Sequence, residues 1–210
     1  MNVGEKWANS WQNKSFRILL IGGIGGLLAM VPFITGFFEY LEQRDGYQLN
    51  DFVLTSFNAY NVSVPTFLII WSMIGFTLFR SIQYPETLLL VVWSYFLMLV
   101  GRTLTLLLVP LDPPAGLIEL KDPLSTLYYG SKFMTKDLFF SGHTATLFIM
   151  GLSMKHTTDR WILIISSVLI GILVLVQHVH YTIDVIAAFI FGYLFYRIAL
   201  LVTRNAITAS

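Results

Sequence analysis

Two histidines and one aspartate are the residues of this chain whose types and spacing suggest chemistry. His143 lies in the run Phe139-Phe140-Ser141-Gly142-His143-Thr144, and His180 and Asp184 are four positions apart. On a helix, that spacing puts an imidazole and a carboxylate on one face. The carboxylate would fix the tautomer of His180, leave its other ring nitrogen free as a nucleophile, and stabilise the cation formed on attack. We interpret this pair as a candidate nucleophile with its orienting group.

The segment around His143 is suited to binding an anion. Ser141 is placed to cap a helix that starts just after it. The amides at a helix N-terminus bind phosphate. His143 would then protonate a departing alkoxide and later deprotonate an acceptor. Together, His143, His180 and Asp184 predict phosphoryl transfer.

Two other uses of the same residues fit less well. A serine hydrolase would use Ser141 as its nucleophile, but the Gly-x-Ser-x-Gly elbow is absent from the sequence. Zinc could be held by His143, His178, His180 and Asp184, but His178 and His180 would point to different faces. The chain has no cysteine, which excludes disulfides and thiolate ligands. We expect neither a metal nor another cofactor.

The elements that must position these residues are predicted to be membrane helices. The chain is 56% hydrophobic and 12% charged, with a mean hydropathy of +0.71, which is typical of a polytopic membrane protein. We expect an all-α fold, a six-transmembrane-helix bundle that forms one domain over residues 1–210, with a catalytic core at about 65–203. The predicted helices are Phe16–Phe38, Pro65–Phe79, Thr87–Val109, Phe139–Met154, Trp161–Gln177 and Thr182–Thr203. The glycines of residues 22–26 predict close approach of a neighbouring helix.

Charge predicts the orientation of the bundle and excludes one class of partner. The net charge is +1 and no basic stripe occurs, which argues against nucleic acid. Cytoplasmic loops carry an excess of Lys and Arg. With six spans, one side receives the cations Lys6, Lys14, Arg17, Arg80, Lys155, Arg160, Arg197 and Arg204. We therefore expect both termini in the cytoplasm and the histidines on the extracytoplasmic face.

Arg102 and the loop Pro110–Leu138 are the other candidates for contacts with a substrate. Arg102 would neutralise phosphate oxygens together with the amides of Gly142 and His143, or else pair with Asp137 or Glu119. The carboxylates and tyrosines of the loop suit an amine or a quaternary ammonium group. They are Asp112, Glu119, Asp122, Tyr128, Tyr129 and Asp137. Asp137, six residues before His143, is interpreted as orienting His143 or contacting a headgroup.

Four motifs resemble a known family. They are Arg102-Thr103-x-Thr105, Pro110-Leu111-Asp112-Pro113-Pro114, Asp137-x-x-x-Ser141-Gly142-His143-Thr144 and His180-Tyr181-Thr182-x-Asp184-Val185. Together they resemble the sphingomyelin synthase-like branch of the type-2 phosphatidic acid phosphatase superfamily. The resemblance implies a six-helix bundle in an enzyme that acts on membrane lipids.

By that resemblance, His180 is the nucleophile, Asp184 its partner and His143 the acid and base. Further substrate contacts are expected at Arg102, Asp137, Ser141, Gly142, Glu119 and Tyr181. The donor would be a membrane phospholipid. The acceptor would be a lipid alcohol, ceramide or diacylglycerol, or else water, which would make the enzyme a C-type phospholipase.

Departures from the wider superfamily favour a phosphodiester as substrate. Its phosphatases carry Lys-x6-Arg-Pro and a Ser-Arg pair, but here Tyr95, Thr103 and Leu173-Val174 occupy the lysine, proline and Ser-Arg positions. A dianionic monoester needs several cationic donors, and a diester carries only one negative charge. The alternative is a lipid phosphate phosphatase that hydrolyses monoesters such as phosphatidic acid. A third hypothesis is a non-catalytic membrane scaffold or transporter.

Overall fold

The fold is a bundle of helices, seen in a computed structural model that describes residues 2–121 and 134–207. Within those residues there are no strands, and 75% of the residues are helical. The helices are α1 Val3–Gln12, α2 Lys14–Gln43, α3 Phe52–Thr55, α4 Ser63–Gln83, α5 Pro85–Leu108, α6 Gly142–Leu152, α7 Thr157–Val176 and α8 Thr182–Ile207. The loop candidates Asp122, Tyr128 and Tyr129 lie outside the described residues.

Five of these helices, α2, α4, α5, α7 and α8, are long and apolar enough to cross a membrane. Their outer faces expose large apolar side chains, for example Ile21 at 62%, Leu28 at 65% and Leu201 at 71%. Such faces are unfavourable in water and suit contact with lipid, where a helix also satisfies its own backbone hydrogen bonds. The fold therefore indicates an integral membrane protein, as the composition predicts.

The fourth predicted helix, Phe139–Met154, is shorter in the structure. It is α6, whose 11 residues from Gly142 to Leu152 rise only about 16 Å, roughly half of the ~30 Å hydrocarbon layer. Ser141 ends the preceding irregular segment by capping α6. Of the six predicted spans, five are confirmed as helices long and apolar enough to cross a membrane, and the sixth, Phe139–Met154, is not.

The short helix α6 lies at the centre of the bundle. It packs against α4, α5, α7 and α8. Ala145, Leu147 and Ile149 are fully buried. Because its apolar side chains contact protein instead of lipid, α6 needs neither the length nor the outer apolar face of a spanning helix.

The glycine cluster of α2 packs as the sequence predicts. A Cβ atom at Gly23 would come within 2.7 Å of Val92, and one at Gly26 within 2.8 Å of Phe96, both on α5. Nothing lies within 4 Å of the corresponding positions at Gly22 and Gly25. Two of the glycines therefore allow α2 to approach α5 closely, which confirms the packing interpretation.

Helix α1 precedes the first predicted span. Its first turn is closed by a capping box between Asn2 and Glu5. The Trp7 indole donates to the carbonyl oxygen of Ile82 across 2.7 Å, which fixes α1 at the junction of α4 and α5. The four-residue spacing of Val3, Trp7 and Trp11 is the helical signal in this otherwise polar segment.

Candidate active site

The residues predicted to do chemistry meet in a cavity of about 420 Å³. Its polar end is lined by Arg102, Asp137, Gly142, His143, Thr146 and His180. Its apolar wall includes Met30, Ile34 and Phe37 of α2 and Phe67, Ile70 and Ile74 of α4. Helix α2 therefore contributes to the cavity, although the predicted catalytic core, residues 65–203, does not include it.

His180 and Asp184 form a buried pair. The His180 Nδ1 atom lies 3.5 Å from Asp184 Oδ2, and the two side chains are 1% and 0% exposed. The distance is longer than a hydrogen bond, and the contact becomes an ion pair when the imidazole is protonated. With Nδ1 turned towards the carboxylate, Nε2 is the ring nitrogen left for a substrate.

Contrary to the prediction from the sequence, His180 and Asp184 do not lie on one helix. His180 lies two residues before α8, and Asp184 lies in the first turn of that helix. The pair therefore does not share a helical face. The Asp184 Oδ2 atom accepts from the amide of Tyr181 across 2.9 Å, which is the reach-back contact of a capping box. That contact aims the carboxylate back towards His180.

His143 and His180 are neighbours across the cavity. Their ring centroids are 6.4 Å apart and their planes are inclined by 65°. The His143 ring also lies edge-on to Phe67, with centroids 6.3 Å apart. One phosphate group in the cavity could reach both imidazoles. The structure thus brings together the three residues that the sequence predicts to be catalytic.

Ser141 connects the two motifs and caps α6. Its hydroxyl is positioned to accept from the amide of Thr144 at 3.5 Å. Its own amide donates to the carbonyl oxygen of Asp184 across 3.1 Å. Ser141 is fully buried and is absent from the cavity lining. The predicted cap is confirmed, but the predicted substrate contact of this side chain does not follow from its position.

Gly142 leaves room for Arg102. A Cβ atom at Gly142 would lie 2.9 Å from Arg102 Cζ and 3.0 Å from its Nε, closer than real Cβ contacts allow. Arg102 is only 8% exposed. The glycine therefore lets a nearly buried guanidinium lie directly beside the N-terminus of α6.

Asp137 is the ionic partner of Arg102. The Arg102 Nη2 atom lies 2.7 Å from Asp137 Oδ1, and Arg102 Nε donates to the Phe140 carbonyl oxygen across 2.8 Å. Glu119, the other partner considered, is exposed and does not line the cavity. Between the two predicted partners, the structure favours Asp137. Arg102 and Asp137 still border the cavity together, where a substrate can meet both charges.

The segment that carries Asp137 is anchored by the end of α2. The Glu42 carboxylate accepts from the amides of Thr135 and Lys136 across 2.6 and 2.8 Å, and from the Thr135 hydroxyl across 2.9 Å. Lys136 also pairs with Asp112 across 2.9 Å. These contacts hold the chain just ahead of Asp137. Nothing local in the sequence indicates them, since Glu42 and Thr135 are far apart along the chain.

Tyr181 supports the site without lining it. Its hydroxyl donates to the carbonyl oxygen of Asp112 across 2.9 Å and accepts from the amide of Leu49 across 3.2 Å. Burial raises the pKa of this phenol above its ordinary value. Tyr181 is 1% exposed and does not border the cavity. Its position fits the packing of loops against the residues beside His180, not the predicted substrate contact.

Asp51 is a positioning residue that the sequence did not reveal. Its carboxylate caps α3 by accepting from the Val53 amide across 2.9 Å. It also accepts from the amide and the hydroxyl of Thr182, at 2.6 and 3.0 Å. Burial acts to raise the pKa of Asp51, but these donors outweigh it and hold the pKa below the ordinary value of 3.8. One carboxylate thus caps both α3 and the helix that carries Asp184.

His178 is turned away from the other two histidines. Its Nδ1 atom lies 3.0 Å from the carbonyl oxygen of Ala115, and its ring packs edge-on to Phe57 at 5.3 Å. Over residues 2–121 and 134–207, no group of three or more His, Cys, Asp or Glu side chains is arranged to hold a metal ion. The zinc alternative therefore has no support in the described geometry.

The helices and the cavity define an integral membrane protein in which two histidines, His180 buried and His143 half-buried, line a cavity with an apolar wall. Residues 135–200, less than half of the chain, match the family described as PAP2 superfamily C-terminal. The match includes His143, His180 and Asp184 and supports the type-2 phosphatidic acid phosphatase superfamily. That superfamily consists of lipid phosphatases and phosphotransferases. No curated protein and no solved structure matches the chain.

Proposed function

We propose that this protein transfers the headgroup phosphate of a zwitterionic phospholipid, such as phosphatidylcholine or phosphatidylethanolamine, to a lipid alcohol or to water. The observation that carries the proposal is the ion pair of Arg102 and Asp137 at the polar end of the cavity. A zwitterionic headgroup offers both charges at once. Its phosphate suits Arg102 and its ammonium group suits Asp137.

A phosphate monoester fits this cavity less well. Among the described lining residues, Arg102 is the one Lys or Arg side chain, and Asp137 already neutralises it. A dianionic group beside Asp137 would bring two like-charged groups together in a site of low polarity, which is costly. A phosphodiester monoanion would face a smaller penalty. Charge therefore favours the headgroup-bearing donor over phosphatidic acid.

The first chemical step would form a bond between His180 and phosphorus. The Nε2 lone pair of His180 attacks the headgroup phosphate, and the bond from phosphorus to the diacylglycerol oxygen breaks. His143, as imidazolium, gives its proton to that oxygen, so that neutral diacylglycerol leaves. Asp184 stabilises the positive charge that develops on His180. Arg102 and the first amides of α6 stabilise the phosphate oxygens.

The second step would return the enzyme to its starting state. The hydroxyl of the acceptor gives its proton to His143, which is now neutral, and its oxygen attacks phosphorus. The bond between phosphorus and Nε2 breaks, and its electron pair returns to His180. A ceramide or diacylglycerol acceptor yields a new phospholipid, whereas water yields the free phosphorylated headgroup.

The apolar wall of the cavity suits the acyl chains of a lipid donor. Met30 and Phe37 of α2 and Phe67 and Ile70 of α4 line the same cavity as His143. Acyl chains that move from the bilayer into this lining stay in apolar surroundings, so binding exposes no hydrocarbon to water. The reacting phosphate would lie at the polar end while the acyl chains extend along the wall.

The test is lipid mass spectrometry on the purified protein. Phosphatidylcholine, phosphatidylethanolamine and phosphatidic acid are each supplied with ceramide and labelled diacylglycerol as acceptors. His180→Ala is the inactive variant. His156→Ala is the matched control, because His156 is an exposed histidine that pairs with Tyr84 and does not line the cavity.

Release of diacylglycerol from a zwitterionic donor, lost in His180→Ala and kept in His156→Ala, is the expected result. Labelled product on ceramide or diacylglycerol would identify a transferase, and a water-soluble phosphorylated headgroup would identify a C-type phospholipase. Consumption of phosphatidic acid alone would overturn the charge argument and assign a phosphatase. No turnover of any donor would contradict the proposed activity altogether.

A further inference from the structure

A second cavity, of about 500 Å³, lies at the other end of the bundle. It is bordered by α1, the start of α5, the turn between α6 and α7, and the C-terminal half of α8. Thr87 lines this cavity and Arg102 lines the first one. Both residues are on α5, and their separation along a helix is about 22 Å. The second cavity is therefore a separate site.

Cationic side chains outnumber carboxylates in the lining of this cavity. Lys6, Lys155 and Arg160 border it, against one carboxylate, Glu86. Glu86 is paired with Lys155 across 2.7 Å. Within the part of the chain that the structure describes, no carboxylate lies within ion-pair distance of Lys6 or Arg160. The cavity thus has an excess of positive charge.

Lys6 and Arg160 have donors left over for a ligand. The Lys6 ammonium contacts one carbonyl oxygen, that of Gln83, at a long 3.4 Å. Arg160 donates from Nη2 to the Met154 carbonyl oxygen across 3.1 Å, while its buried Nε has no hydrogen-bond partner among the described residues. An anion with several acceptor oxygens would accept from the Lys6 ammonium and from the remaining Nη donors of the Arg160 guanidinium.

The ring of Tyr84 contacts two of the three cations, Lys6 and Lys155. The ammonium groups of Lys6 and Lys155 lie over the Tyr84 ring, 4.3 and 5.0 Å from its centroid. Cation–π contacts of this kind restrict flexible lysine side chains. The cations are thereby held near one another before any ligand binds, which lowers the entropic cost of binding.

Neutral groups complete a lining suited to a phosphate ester. Hydroxyl groups are available from Ser10, Thr87 and Tyr196, and apolar surface from Leu90 and Leu200. Phosphate oxygens accept from both lysine and arginine. The apolar surface would suit the first carbons of a lipid. The orientation predicted from the cations also puts this end at the cytoplasmic leaflet, where anionic lipids concentrate.

From these observations we propose that the second cavity binds a phosphate group, that of an anionic phospholipid headgroup or of free phosphate. The site is independent of the reaction at His143 and His180. Lys6 and Arg160 are the residues on which binding depends. A negative result for the activity of the first cavity would not contradict binding at the second cavity, and the reverse also holds.

The test is a calorimetric titration of the purified full-length protein in detergent micelles, with His180→Ala as the background so that no probe is consumed. The probes are dioctanoyl phosphatidic acid, inorganic phosphate, and dioctanoylglycerol as the phosphate-free control. The cavity variant is Lys6→Gln/Arg160→Gln. The matched control is Lys14→Gln/Arg197→Gln, which removes the same charge from exposed positions that do not line the cavity.

We expect the cavity variant to weaken binding of a phosphate probe by about tenfold or more, and the control variant to leave it nearly unchanged. Tight binding of the lipid with weak binding of inorganic phosphate would assign a lipid headgroup. Tight binding of inorganic phosphate that competes with the lipid would assign free phosphate. Equal effects of the two double variants, or no binding of either probe, would overturn the proposal.

Two further variants distinguish loss of the binding site from misfolding of the cavity variant. Lys6→Arg/Arg160→Lys keeps both charges and should retain most of the affinity. Lys6→Gln alone leaves the Arg160 hydrogen bond to Met154 in place and should still weaken binding severalfold. Unchanged affinity in Lys6→Gln, with gel filtration showing an intact protein, would count against the site.

Discussion

The amide of Ser141 donates to the carbonyl oxygen of Asp184 across 3.1 Å. This bond joins the segment that carries His143 to the one that carries His180. Because both partners are backbone groups, the relative position of the two segments does not depend on either imidazole. Substitution of a histidine should therefore change the chemistry of the site while leaving its framework in place.

We expect His180→Ala to abolish turnover and Asp184→Asn to lower kcat by roughly 10³- to 10⁴-fold with the fold retained. An asparagine oxygen can still accept from the Tyr181 amide, as Asp184 does. It cannot stabilise a positive charge on His180. Steady-state kinetics and thermal unfolding of both variants provide the measurement. Near-normal kcat in His180→Ala would rule out its assignment as nucleophile.

Gly142→Ala should lower kcat/KM by at least about tenfold, since the added methyl group would lie 2.9 Å from Arg102 Cζ and displace the guanidinium. Gly22→Ala is the matched control, because nothing lies within 4 Å of a Cβ atom there. That control should keep full activity and gain up to about 1 kcal/mol of stability from helix propensity. Equal activity in the two variants would show that Arg102 tolerates the displacement.

Arg102→Lys should lower kcat/KM by about 10²-fold, although it keeps the charge. Lysine cannot reproduce the combination of the Phe140 hydrogen bond from Nε and the Asp137 ion pair from Nη2. Kinetics with a phosphodiester donor provide the measurement. Unchanged kinetics, combined with a lower unfolding temperature, would instead assign Arg102 a structural role.

Asp137→Asn should change the choice of donor more than the rate with any one donor. Removing the carboxylate leaves Arg102 unopposed and removes the expected partner of an ammonium group. Discrimination in favour of zwitterionic over anionic donors should fall by about tenfold, measured as a ratio of kcat/KM values. Full turnover with an unchanged headgroup preference would exclude Asp137 from substrate recognition.

Asp51 should make the stability of the protein sensitive to acid. Burial acts to raise its pKa, but hydrogen bonds from Thr182, Leu54 and Val53 stabilise the ionised carboxylate and hold the folded-state pKa below 3.8. The stabilisation is therefore complete above pH 3.8 and is lost as the pH falls through the lower folded-state pKa. Asp51→Asn should unfold with a weaker pH dependence below about pH 4.

The control for that measurement is Asp45→Asn, at an exposed position in the same loop. Unfolding temperatures from pH 7 down to pH 3 should follow the unmodified protein in the control and diverge from it in Asp51→Asn. Identical pH profiles for the two variants would show that the contact with Thr182 does not couple to stability.

The sequence was sufficient to predict the features that depend on local pattern. Apolar runs long enough to cross a bilayer gave the five spanning helices, and the serine before Gly142 gave the cap of α6. The two histidines and Asp184 stood out because ionisable side chains are costly in an apolar chain. Their convergence on one cavity required only that the three segments end at the same side of the bundle.

Other features depend on contacts between distant segments and left no local signal. The bond from Asp51 to Thr182 and the anchoring of Thr135 by Glu42 join residues that are far apart in sequence. The length of α6 was overestimated because Phe139 and Phe140 continue its apolar run. In the structure, the carbonyl oxygens of these two residues accept from Thr105 and Arg102 of α5. Tertiary hydrogen bonds thus took the place of another helical turn.

The shortness of α6 has a consequence for the charge of its N-terminus. Because α6 starts inside the bundle, among α4, α5, α7 and α8, its first amides point into a cavity of the protein and not into bulk solvent. The partial positive charge of that helix end is therefore only weakly screened by water and salt. A phosphate beside Gly142 would be attracted more strongly there than at an exposed helix terminus.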